Sequence, residues 1–347
     1  MSLSLPRALR VPELLQNIME ECDDRSNQQN VLVCKLWSET GLDLLWYKVT
    51  DLKRFLELFG KLKGRCRDAD YKIEFDYAYR PSPASWRRFE KVYQTRIHIF
   101  SISYSDNQWI PALKTLATTR SNSAILPGLH TLEWNKVYGL GLGESALMFM
   151  HNSVHRFALI QSEPVPNPAT LDDFTSFCEE VGSRMPFLST LRLVIESQAE
   201  YQAPILALTR QLPNLEHLSI PPFEDPSEIP IGLGDKSLLC LEVLPMDQVS
   251  KYPFSSTLNI SDPSTITLFS CLRELELHCS YDFAITFFQN VTSPGNIQRI
   301  ALHSNWPETS DAVRNLIQCI APRASQLTSF VLNFCNRKYE VLNSLLA

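Results

Sequence analysis

The chain has no run of roughly 18 uncharged apolar residues, the length a membrane span needs, so no membrane partner is expected. It also lacks an excess of positive charge. Across 347 residues, 32 Lys and Arg face 38 Asp and Glu, a net charge of −6. That balance gives no general attraction to phosphate backbones, and nucleic acid is not an expected partner. No Cys-x-x-Cys pair occurs, and the nine cysteines are odd in number and scattered. Such usage argues against a disulfide framework or a zinc site and for reduced thiols packed in a cytoplasmic or nuclear protein. Pro6, Arg7 and Arg10 interrupt any apolar core of a signal peptide.

Recognisable chemistry is equally sparse. Gly139-Leu140-Gly141-Leu142-Gly143 lacks both the Gly-x-Gly-x-x-Gly spacing and a Lys-Ser/Thr end, so it reads as a flexible connection. His151 and His155 stand at i, i+4, but no Glu follows His151 and no third ligand is evident. His278-Cys279 has no nucleophile context and reads as a surface imidazole beside a packed thiol. We expect no catalytic residue, no metal and no cofactor.

What the sequence does contain is 44% hydrophobic and 20% charged residues, a globular composition. The amino-terminal segment is its most patterned part. Pro12 suits the first position of a helix, and Glu13 favours the positive helix start. Leu14, Ile18 and Cys22 recur at i, i+4, i+8, and Leu15 and Met19 widen the stripe. Asp23 to Asn27 reads as polar turn material. Further apolar sets follow at Leu32, Val33, Leu36 and Trp37, and at Leu42, Leu45 and Trp46. A segment of roughly 40 residues rarely buries enough surface to fold unaided. The apolar surplus here marks a docking surface for another chain or domain.

Leu9-x-x-Pro12-Glu13-Leu14-Leu15-x-x-Ile18, Val33-Cys34-x-x-Trp37 and Leu45-Trp46 resemble the F-box motif in order and spacing. Val11 stands where the family usually has Leu, and Ser26 to Asn30 is more polar than the family norm. The resemblance implies that residues 5–50 bind the Skp-family adaptor and through it a cullin. The chain would then be the substrate receptor of an SCF-type cullin–RING ubiquitin ligase, non-catalytic itself. It implies an adaptor-facing or adaptor-supporting set of Leu9, Pro12, Leu14, Leu15, Ile18, Val33, Cys34 and Trp37. The alternative is an interaction scaffold with no ligase role.

Residues 51–95 read as connecting helices. Asp51 caps one carrying Leu52, Phe55, Leu56 and Phe59, with Gly60 as its stop. Lys61 to Asp70 looks loop-like, Tyr71 to Phe75 alternates as a strand, and Trp86 to Tyr93 looks helical after Pro81 and Pro83. From residue 96 to 347 one phrase returns: apolar, two variable, apolar, one variable, apolar. It runs Ile97/Phe100/Ile102, Leu129/Leu132/Trp134, Val154/Phe157/Leu159, Leu188/Leu191/Leu193, Leu215/Leu218/Ile220, Leu241/Leu244/Met246, Leu272/Leu275/Leu277, Ile297/Ile300/Leu302 and Leu327/Phe330/Leu332. The last two apolar positions of each phrase share one strand face. Helical patterns lie between phrases at Ile110/Leu113/Leu116/Ala117, Leu171/Phe174/Cys178/Val181, Ile205/Leu208 and Val313/Leu316/Ile317/Ile320, with Thr170 and Ser310 as caps for two. Strand–helix alternation at this period predicts an α/β fold of parallel strands with right-handed crossovers. It resembles an irregular, horseshoe-like leucine-rich-repeat solenoid. Pro245 would distort its strand.

On such a sheet the residues between the inward positions face the open surface. Thr131, Glu133, Arg156, Thr190, Arg192, His217, Glu274, Glu276, His278, Arg299 and His303 are the candidates to bind a target protein through polar contacts.

Overall fold

A computed structural model describes residues 9, 11–66, 73–103, 107–120, 124–137, 147–161, 171–195, 198–223, 229, 233, 236–244, 269–290, 296–304, 307–322 and 325–334. The chain divides into two compact units, Met1–Asn135 with Leu142–His155, and Lys136–Gly141 with Arg156–Ala347.

The first unit opens with helices α1 (Pro12–Glu20), α2 (Asp24–Asn30) and α3 (Lys35–Tyr47). Pro12 occupies the first turn of α1, where its missing N–H costs nothing. Leu15 and Met19 are fully buried, each contributing about 2–3 kcal/mol of apolar transfer. The segment expected to turn at Asp23 to Asn27 is instead the start of a helix. The Asp23 carboxylate accepts from Ser26 N at 2.8 Å, which caps α2 and holds the Asp23 carboxyl below its ordinary range. The buried Asn27 side chain donates to Met19 O at 2.8 Å and Cys22 O at 3.4 Å, so it satisfies carbonyls at the end of α1. Leu32 and Val33 fall in the turn before α3, while Leu36 to Trp46 lie along one continuous helix. Gly41 in α3 lets the two helices approach: a Cβ there would sit 2.8 Å from Val31 Cγ2.

Strand β1 (Lys48–Val49) follows α3 directly and pairs in parallel with β4 (Ile99–Ser103), which pairs with β5 (Thr131–Val137). Helix α4 (Leu52–Glu57) is capped by Asp51, whose carboxylate accepts from Arg54 N at 3.1 Å. Helix α5 (Pro83–Val92) begins three residues before the expected Trp86, because Ser82 caps it from Ser85 N and Pro83 fits its first turn. Phe55, Phe59, Phe89, Phe100, Trp134 and Phe149 form the buried aromatic core of this unit. The stretch expected to be a loop contains β2 (Leu62–Cys66), which pairs antiparallel with β3 (Ile73–Tyr77). Its basic residues are exposed, which suits a two-stranded ribbon and conceals it from periodicity. Tyr77 anchors the ribbon by donating to Leu56 O at 3.0 Å, and Phe75 stacks on Trp109, just before α6 (Ile110–Thr119).

The second unit is a parallel sheet in sequence order: β6 (Arg156–Gln161), β7 (Thr190–Val194), β8 (His217–Ile220), β9 (Cys240–Val243), β10 (Glu274–His278), β11 (Arg299–Ser304) and β12 (Ser329–Phe334). Helices α7 (Leu171–Arg184), α8 (Gln202–Gln211), α9 (Tyr281–Asn290) and α10 (Ser310–Ile320) connect strands. Leu191, Leu218, Leu241, Leu275 and Ile300 align across the strands and are all buried.

Three expectations are corrected in this unit. The sixth phrase is Leu238/Leu241/Val243, three residues earlier than read, because Leu241 pairs with Leu275 and Val243 with Leu277. The cap of α10 is Thr309, which accepts from Ala312 N at 3.1 Å, and Ser310 is the first helical residue. Helix α9 was not anticipated; Tyr281, Ala284, Phe287 and Phe288 make its buried stripe. Thr170, Pro245 and Met246 lie outside the described residues. No helix among the described residues is long and apolar enough to cross a membrane.

Candidate functional site

Two surfaces gather the residues singled out from the sequence. The first lies on the amino-terminal helices. Val11 is 38% exposed, Leu14 and Ile18 46%, Val33 55% and Leu32 78%. Val11, Leu14 and Ile18 recur at i, i+3, i+7 and so make one exposed apolar stripe that borders the buried Leu15 and Met19. Pro12 is exposed beside the stripe, and Leu9 is half-buried just ahead of it. Val33 and Cys34 form the turn leading into α3, with Cys34 at its N-cap. Trp37 is half-buried on the first turn of α3, and its indole N–H has no acceptor among the described residues. Leu15 belongs to the supporting core, packed between α1 and α3. Large exposed side chains on one stripe cost free energy in water and recover roughly 1 kcal/mol or more each when a partner covers them.

Arg96 fastens these helices to the remainder of their unit. Its guanidinium pairs with Asp43 and Glu39 of α3 and donates to Glu39 O at 3.0 Å and Val92 O at 2.7 Å. His98 N donates to Tyr47 O at 3.0 Å, extending the backbone link beyond β1.

The second surface is the outward face of the strands. In the first unit Glu133 accepts from Ser101 Oγ at 2.6 Å, and Thr131 is buried. In the second unit the register aligns Arg156, Thr190, His217, Cys240, Glu274, Arg299 and Ser329 in one row. The next row holds Arg192, Ser219, Glu242 and Glu276, and the last has His278, His303 and Asn333. Sequence reasoning missed Cys240, Ser219, Glu242 and Asn333. Cys240 and Glu242 follow at once when the sixth phrase is set three residues earlier, since they then occupy the alternating outward positions.

These side chains interlock. Ser219 Oγ donates to Glu242 Oε2 at 2.6 Å. Glu276 Oε1 lies 3.4 Å from His278 Nε2 and 3.5 Å from His303 Nε2. The two imidazoles stack with centroids 4.4 Å apart, and His303 Nδ1 meets Asn333 Nδ2 at 3.1 Å. Burial, then the neighbouring His303, lowers the affinity of His278 for a proton. Burial and the carboxylates of Glu242, Glu274 and Glu276 push the Cys240 thiol up to about 12, so it is protonated near neutrality and a poor nucleophile.

Cys279 and His151 hold structural positions. Cys279 is buried on the opposite strand face from His278, with its thiol pushed up by burial. His151 Nε2 lies 2.8 Å from Leu126 O, a clamp between turns. Gly139 to Gly143 fall outside the described residues. Compared with known proteins, the chain matches no family model and no curated sequence.

Proposed function

We propose that this chain is the substrate receptor of an SCF-type cullin–RING ubiquitin ligase. Its amino-terminal helices act as an F-box that binds the Skp-family adaptor, and its strands form an irregular leucine-rich-repeat solenoid that holds a target protein. The observation that carries the reading is the open apolar stripe Val11, Leu14 and Ile18, standing within the sequence pattern that resembles the F-box. A helical partner laid along that stripe completes a helix-in-groove contact read as i, i+3, i+7 anchors. The polar outward face supplies the other half of the function: charged and hydrogen-bonding groups in fixed rows select a protein surface by complementarity. The chain itself needs no reactive group, because holding a target near a separate enzyme is catalysis by positioning.

The test is co-purification of the full chain with the adaptor and a cullin, comparing the native sequence with a Leu14→Glu/Ile18→Glu variant. Anchors of this kind each cost about 2 kcal/mol or more when lost, so the variant should bind the adaptor roughly 100-fold more weakly or worse. Its thermal melt should stay within a few degrees, because both side chains are already half-exposed. Adaptor bound without a cullin would favour the scaffold role. An adaptor that ignores both proteins removes the ligase reading.

A further inference from the structure

We propose that Glu276, His278 and His303 form a binding site for one divalent transition-metal ion of the zinc class. The inference does not depend on the receptor function above. Glu276 and His278 are two apart on β10 and share its outward face. His303 on β11 is the register partner of His278, which brings the second imidazole alongside the first. The three donor atoms lie within 4.8 Å of one another.

The same three groups can make a loose hydrogen-bonded cluster or close around an ion. Gaps of 3.4 Å and 3.5 Å from one carboxylate oxygen to two imidazole nitrogens are long beside the usual 2.7–3.2 Å of an N–H···O bond, so the His278 contact is a weak hydrogen bond. Metal–ligand bonds of about 2.0–2.2 Å meeting at tetrahedral angles place ligands about 3.3–3.5 Å apart. The two carboxylate–imidazole edges fit that spacing, and the imidazole–imidazole edge lies within 4.8 Å. Two imidazoles and one carboxylate suit zinc, cobalt, nickel or copper, whereas calcium and magnesium prefer oxygen throughout. The side chains are 23%, 30% and 25% exposed for His278, Glu276 and His303, so an ion can enter and a fourth position stays open to water or to a side chain of a bound protein.

Surroundings support the assignment. Glu242 is the register partner of Glu276, so a second carboxylate adds negative potential on the same face. Asn333 Nδ2 faces His303 Nδ1 at 3.1 Å, and a flip of that amide on loading would let its oxygen accept from Nδ1–H and orient the ring as metal-bound histidines require. Loading also requires the two rings, now inclined by only 16°, to fan apart so that both lone pairs point at one ion.

The experiment uses the full chain without a polyhistidine tag, stripped with chelator. It is titrated with Zn(II) by calorimetry and with Co(II) by visible absorption. One ion per chain is expected. His278→Ala and His303→Ala should each weaken binding roughly 100-fold, Glu276→Gln less, and Asn333→Ala about 10-fold. Circular dichroism and the melt of each metal-free variant should match those of the metal-free native chain. Binding that persists in the His278→Ala/His303→Ala variant places the ion elsewhere and overturns the proposal, as does a native chain that takes up no ion at 100-fold excess.

Discussion

Asn27 shows how a single polar side chain can hold a helical corner together. It lies 4% exposed and serves two carbonyls of the preceding segment, while its oxygen accepts from Asn30 at 3.2 Å. Removing it leaves buried acceptors without donors, at about 1–2 kcal/mol. Asn27→Ala should therefore lower the melting midpoint of the first unit measurably. The sequence does not announce this role: a run of Asp, Arg, Ser, Asn and Gln has turn composition, and only the Asp23 cap turns it into a helix. Cysteines differ at the same scale. Cys178 and Cys240 both titrate near 12 against an ordinary 9.0, while Cys66 and Cys271 are exposed. A thiol-specific reagent at pH 8 should label the exposed pair promptly and spare the buried pair in the folded chain. The raised values also set a sign. The folded chain holds these protons more tightly than the unfolded one, so their stabilisation is complete below pH 9 and is lost as pH rises towards 12. Denaturation midpoints measured at pH 8 and pH 10.5 should fall accordingly, and less so in Cys178→Ala.

Elements were legible where one residue or one period settles them. Pro12 fixed the start of α1, Asp51 the start of α4, and buried apolar pairs two apart the strands. Elsewhere local signals compete. In Leu241-Glu-Val-Leu-Pro-Met the spacing of two different triplets is equally apolar, and only pairing with Leu275 selects the earlier one. Helix α9 is dense in Phe, which favours strands as readily as helices, so its periodicity is masked by propensity. The meeting of α3 with the end of α2 depends on Gly41, and a methyl there would push on Val31. Gly41→Ala should destabilise by about 1–3 kcal/mol as an overpacked contact. Adding Val31→Ala should recover part of the loss, a coupling that a double-mutant cycle measures. The same change at Gly182 meets the flexible end of Gln211, which can turn aside, and also the buried Leu208 Cδ1 at 3.3 Å, which must shift slightly.

For the whole molecule, strand–helix alternation was readable because several repeats restate it, and the parallel strands in sequence order accord with that repetition. Sites were less readable, since alternation marks which positions face outward but not which of their side chains meet. His278 and His303 are far apart in sequence, and only register unites them with Glu276. Strand β1 begins at the residue after α3 ends, and its backbone is stitched to β4 at Lys48 and Val49. No linker separates the helices from that sheet, so the two form one bracket. A partner held along α1 would therefore sit beside β4 and β5 at a spacing set by α3 and β1, as a jig holds a workpiece.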